Sequence, residues 1–171
     1  MRCRVLALTI FLCLAATCCA AGQNPRVSSL PSNAALDQFK TLAGEWEGKD
    51  SHGTTVHASY EALASGVVME RLQAEGHPGM ITMYSLDGDH ILAIHFCSEG
   101  NQPILKTGPV SQATGKYDFL LERAYGLKSQ DDLHMVELLM TLTDNDHFSQ
   151  VWTNVDHGKR SANTITFTRK K

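Results

Sequence analysis

From Gly44 onward the sequence is cut into short runs by turn signals, and this punctuation limits the fold more than any other feature. Ser51-His52-Gly53, Ser65-Gly66, Glu75-Gly76-His77-Pro78-Gly79, Asp87-Gly88-Asp89, Thr114-Gly115, Asp144-Asn145-Asp146 and His157-Gly158-Lys159 carry the small and turn-forming residues that reverse a chain. Asp87-Gly88 is a strong two-residue hairpin signal. The runs between them read as strands: Glu45–Lys49, Thr54–Leu63, Val67–Ala74, Met80–Leu86, His90–Ser98, Ile104–Pro109, Lys116–Glu122, His134–Thr143, Phe148–Asn154 and Arg160–Arg169. So many short strands and no long helix predict an all-β domain, an antiparallel up-and-down barrel of about ten strands. Closure also removes the exposed edges that an open sheet must protect. The longer stretch from Leu127 to Leu133 is expected to lie at a barrel mouth.

One short helix is predicted before the strands. Leu36, Phe39 and Leu42 recur on one helical face, Asn33 or Ser32 supplies the cap, and Gly44 ends it. Its expected role is to plug one end of the barrel, with Trp46 closing that end against it. The domain is therefore assigned to residues 34–171, behind a leader at 22–33 that has no periodicity.

Residues 1–21 read as a cleaved secretory signal peptide. Arg2 and Arg4 precede an apolar run, Val5 to Thr17, that is short for a membrane span, and the small residues Ala20 and Ala21 follow. The sequences before Cys18 and Cys19 fit a lipid-attachment signal poorly, so the expectation is an exported protein, periplasmic or extracellular, with lipid anchoring the lesser option. Four of the five cysteines lie in this segment, which leaves Cys97 alone and no internal disulfide. Stability must then come from a core, and about 150 residues suffice to bury one. Loss of Arg2 and Arg4 leaves 13 basic against 18 acidic residues, a net charge of −5. Nucleic acid and anionic membrane are poor partners for such a chain. No transmembrane segment follows the signal.

Side chains with chemical capacity concentrate at Ile94-His95-Phe96-Cys97-Ser98-Glu99-Gly100-Asn101-Gln102-Pro103. In a strand, residues i and i+2 share a face, so His95 and Cys97 point together and Phe96 points away. Thr82 and Tyr84 share a face of the preceding hairpin strand and are placed across from this pair. Gly100-Asn101 is a turn, Pro103 cannot donate to a ladder, and Asn101 and Gln102 offer amides at the strand's end. His134 and Trp152 could reach the same region. His52, His77, His90 and His157 fall at turns and are expected in solvent. Met80, Met83, Met135 and Met140 suit an apolar lining or core filling.

Several segments together resemble a known group. They are Phe39-Lys40-Thr41-Leu42-Ala43-Gly44-Glu45-Trp46-Glu47-Gly48, Tyr84-Ser85-Leu86-Asp87-Gly88-Asp89, the His95 to Pro103 stretch, His134-Met135, and Asp146-His147 with Trp152-Thr153 and Gly158-Lys159. This set resembles the bacterial domain of unknown function 1579 and its relatives, secreted lipocalin-like proteins. The resemblance implies a calycin barrel with an internal cavity and no settled activity. Gly44-x-Trp46-x-Gly48 also resembles the opening of nitrobindins, ten-stranded barrels that bind ferric haem through one histidine. Asp50 stands where those carry a further glycine, and no haem histidine can be placed on this chain.

The function expected from these readings is a small-molecule ligand, mainly apolar, held in the barrel cavity. Tyr84, His95, Cys97, Asn101, Gln102, His134 and Trp152 are its expected lining. Two alternatives stay open. One is a haem or metal barrel using His95, Cys97, His134 or His147, although no His-x-x-x-His spacing supports it. The other is an enzyme in which His95 activates Cys97.

Overall fold

The computed structural model describes residues 33–63, 66–110 and 112–171. The segment read as a signal peptide and all of the expected leader but Asn33 lie outside the described residues. Helix α1 (Ala34–Lys40) precedes ten strands: β1 (Gly44–Asp50), β2 (Thr55–Ala62), β3 (Val68–Ala74), β4 (Met80–Asp87), β5 (His90–Phe96), β6 (Gln102–Thr107), β7 (Lys116–Tyr125), β8 (His134–Leu142), β9 (His147–Asp156) and β10 (Lys159–Arg169). Each strand pairs antiparallel with its sequence neighbours, and β1 pairs with β10, so the sheet closes into a lipocalin-like up-and-down barrel. Among the described residues, no helix is long and apolar enough to cross a membrane.

Two boundaries differ from the sequence reading in a way that matters. Strand β5 stops at Phe96, so Cys97 begins the following turn: its N–H donates to the Asn101 carbonyl at 3.0 Å, and its own carbonyl accepts from Gly100 N–H at 3.0 Å. Pro103, which cannot donate to a ladder, nevertheless lies inside β6 opposite Ala124. It stands one residue from the strand's start, where the missing donor is tolerated, and the ladder shifts register just beyond it, between Ile104 and Leu105.

The end of the barrel next to α1 is solid. The Asn33 side chain caps the helix by accepting from Ala35 N–H at 2.7 Å. Leu36, Phe39 and Leu42 are buried, as their spacing predicts. Phe39 inserts between Tyr84 and Tyr117, with ring centroids 5.0 and 4.9 Å away. Trp46 donates its indole N–H to the Leu42 carbonyl at 2.7 Å, meets Phe148 edge-on at 4.7 Å, and carries the Arg169 guanidinium 4.1 Å above its ring. It closes this end against the helix as expected. Gly48 is required here by close approach: a Cβ would sit 2.4 Å from the Thr166 carbonyl oxygen and 2.8 Å from the Phe167 ring.

Along the strands, the start of β8 excepted, inward residues alternate with outward ones. Three layers result along the barrel axis. The aromatic plug lies at the helix end and a polar layer crosses the middle. Beyond it, toward the turns at Ser51-His52-Gly53, Glu75–Gly79 and Cys97–Asn101, the barrel is hollow.

Candidate functional site: a hollow above a buried carboxylate

The hollow measures about 470 Å³. Its walls include Val56, Leu72, Met80, Met135, Trp152 and Ile165, and its rim carries Asp50, His52, His77, Glu99, Asn154 and Asn163. Leu133 also faces it, so the segment before β8 does reach the mouth. His52 and His77 stand at this rim with exposed side chains, and the turns that hold them edge the opening. Of the methionines, Met80 and Met135 line the hollow, Met140 is core, and Met83 points outward opposite Ile94.

Four of the seven expected lining residues meet here: His95, Cys97, His134 and Trp152. The imidazole of His95 and the indole of Trp152 come together at 5.0 Å between centroids. Thr82 is directly across the ladder from His95, and its hydroxyl is 2.9 Å from Nδ1. Burial holds the His95 pKa down at about 4, so the ring is neutral at pH 7. His134 and Met135 both face inward because a bulge between Met135 and Glu137 breaks the alternation of β8. His134 donates from Nδ1 to the Asp132 carbonyl at 2.6 Å.

The other three stand elsewhere. Tyr84 is not a wall of the hollow; it lies one layer deeper, wholly buried, because it is two residues further along β4 than Thr82. Asn101 is buried and ties two loops together, donating to the Leu133 carbonyl at 2.9 Å. Gln102 donates to the Gly100 carbonyl at 3.1 Å. Both amides thus hold backbone, the role asparagine often has in turns. Gly126 makes this loop packing possible: a Cβ there would lie 2.8 Å from the Gly100 carbonyl oxygen.

Sequence reasoning missed the residue at the centre of the polar layer, Glu70, which is fully buried. The Tyr60 hydroxyl and the Gln150 amide donate to one of its carboxylate oxygens at 2.7 and 2.6 Å. The Tyr84 hydroxyl donates to the other at 2.7 Å. Gln150 is fixed in turn, since its carbonyl accepts the Trp152 indole N–H at 2.9 Å. Burial raises the Glu70 pKa, and the converging donors oppose that rise. The available signal was a lone acid at an inward position of an otherwise apolar alternation, Val68-x-Glu70-x-Leu72.

This arrangement favours enclosure. His95 and Cys97 both line the hollow, and no hydrogen bond joins them in this structure, where Nδ1 of His95 is bonded to Thr82. Among the described residues, no three His, Cys, Asp or Glu side chains gather as a metal ion needs. A haem iron would find the imidazoles of His95 and His134 at the hollow and those of His52 and His77 at its rim.

A closed antiparallel barrel, plugged at one end and hollow at the other, defines a lipocalin-like class. No family model matches the sequence, and no curated protein matches it. Among solved structures, a protein of unknown function from the DUF3598 family of Nostoc punctiforme is similar, with a TM-score of 0.50 and 13% identity. The match covers 78% of this chain and 49% of that one, so the chain spans about half the length of its structural relative. At this identity the likeness concerns the fold alone.

Proposed function

We propose that this protein is an exported carrier or sensor that encloses one small, mainly apolar molecule in the hollow beside His95 and Trp152. The observation that carries this reading is the asymmetry of the barrel interior, densely plugged at one end and open for about 470 Å³ at the other. Pockets for small ligands fall in this range and combine apolar walls with a few polar groups. Here apolar walls contribute about 25 cal/mol per Å² buried, and His95 and His134 set orientation. Export rests on the Arg2 to Ala21 segment. Kinship with the domain of unknown function 1579 rests on the motifs quoted above. Haem or metal has in its favour only the separate imidazoles of the hollow and its rim, which do not gather with other ligating side chains among the described residues.

Titration with N-phenyl-1-naphthylamine, a neutral apolar fluorophore, tests the reading. The protein is expected to give a saturable, one-site rise in emission. A Leu72→Trp variant, which fills the hollow from its wall, is expected to weaken binding at least tenfold, or about 1.4 kcal/mol. Absence of a saturable response, or binding unaffected by filling, counts against it.

A further inference from the structure

Three strands place Glu70, Thr82 and His95 in one cross-strand row, Glu70 opposite Thr82 and Thr82 opposite His95. This row couples the buried carboxylate to the wall of the hollow. Tyr60, Tyr84 and Gln150 all donate to Glu70, which suits the acceptor-only, ionised carboxylate. Thr82 stands directly across the ladder from Glu70 and shares its face of β4 with Tyr84, so its hydroxyl lies beside the Glu70 carboxylate and the Tyr84 phenolic oxygen. Both are acceptors for its proton, because the Tyr84 proton is already spent on Glu70. With its hydrogen turned to that side, Thr82 Oγ1 presents a lone pair to Nδ1 of His95, 2.9 Å away. Nδ1 must then carry the imidazole proton. A neutral imidazole has only one, so Nε2 is an acceptor. Among the described residues no hydrogen bond reaches Nε2, and His95 lines the hollow.

We propose that the hollow selects ligands presenting a hydrogen-bond donor, an alcoholic or phenolic hydroxyl, to Nε2 of His95, and that Glu70 fixes this polarity through Thr82. The proposal rests on the small-ligand reading above and adds the chemical class of the ligand. Specificity follows from mismatch: a ligand with an ether or carbonyl oxygen at that point would set acceptor against acceptor, beside an indole whose N–H is already committed to Gln150.

The test has two independent arms. In the first, 2-naphthol and 2-methoxynaphthalene, which share an apolar body and differ in the donor, are compared by equilibrium dialysis. The protein is expected to bind 2-naphthol at least tenfold more tightly. Thr82→Val, which removes the acceptor for Nδ1–H, is expected to reduce the preference below threefold, and Thr82→Ser to restore it. In the second arm, nitrogen-15 NMR of the histidine rings reads the tautomer directly, without ligand. His95 is expected protonated at Nδ1 and bare at Nε2. Equal binding of the two probes overturns the proposal while leaving the carrier reading intact, and so does a proton on Nε2. Failure of both probes to bind overturns the carrier reading, and the ligand class with it.

Discussion

Replacing Glu70 by alanine is expected to lower the free energy of unfolding by about 3–5 kcal/mol, from buried donors left without their acceptor and from the void the side chain leaves. The loss has two sources. The hydroxyls of Tyr60 and Tyr84 and the amide of Gln150 all aim at this carboxylate. Each donor left unsatisfied in the interior costs about 1–3 kcal/mol before relaxation. The missing carboxymethyl group also leaves a void that the closed barrel can fill only in part. Tyr84→Phe deletes a single donor and leaves the carboxylate its other partners, so it is expected to cost closer to 1 kcal/mol. Urea unfolding at pH 7 checks both through the midpoint, provided the slope is unchanged. A Glu70→Ala loss below about 1 kcal/mol would show that the carboxylate is not the hub of the middle layer.

His95 gives the second large effect, and it depends on pH. Its pKa lies at about 4 in the folded protein against 6.5 ordinarily, because burial penalises the charged ring. A lowered folded pKa means that the unfolded chain takes up a proton first as pH falls. The contribution of the neutral, buried ring is therefore complete above pH 6.5 and is lost progressively down to pH 4, by about 3 kcal/mol in all. Glu70 acts with the opposite sign: its raised pKa makes ionisation unfavourable to the fold as pH rises above 4.5. The two effects overlap, so the total curve is not diagnostic. The difference between the protein and His95→Gln, measured from pH 4 to 7.5, isolates the histidine. The gap is expected to narrow or reverse toward acid as the variant escapes the penalty. Parallel curves would mean that His95 is accessible to water in the folded state.

The fold was legible because its signals are local. Turn residues such as Asp87-Gly88 and the alternation Val56-x-Ala58-x-Tyr60 are written in consecutive positions, and each strand of the barrel was found to within a few residues. The plug was legible for the same reason, with Leu36, Phe39 and Trp46 each declaring a buried face. The site was legible only in part. The pairing of Thr82 with His95 followed from hairpin geometry. The depth of a residue along the barrel axis did not, since it depends on stagger between strands that never meet in sequence. Tyr84 was therefore placed at the wall when it belongs to the layer beneath. Glu70 and Gln150 lie 80 residues apart, and only barrel closure brings them together. His134 and Met135 share the hollow through a bulge that leaves no mark on period-two patterning. Asn101 and Gln102 looked like free amides because the carbonyls they satisfy, at Leu133 and Gly100, are invisible in a string of residues.

The central claim is that the open end of this barrel holds a molecule in life. Native mass spectrometry of the protein purified from its own host, beside Leu72→Trp prepared in the same way, addresses it most directly. The expected result is a small-molecule adduct on the protein, released on denaturation, and its absence from the filled variant. Bare protein in repeated preparations, or the same adduct on both forms, would contradict the claim.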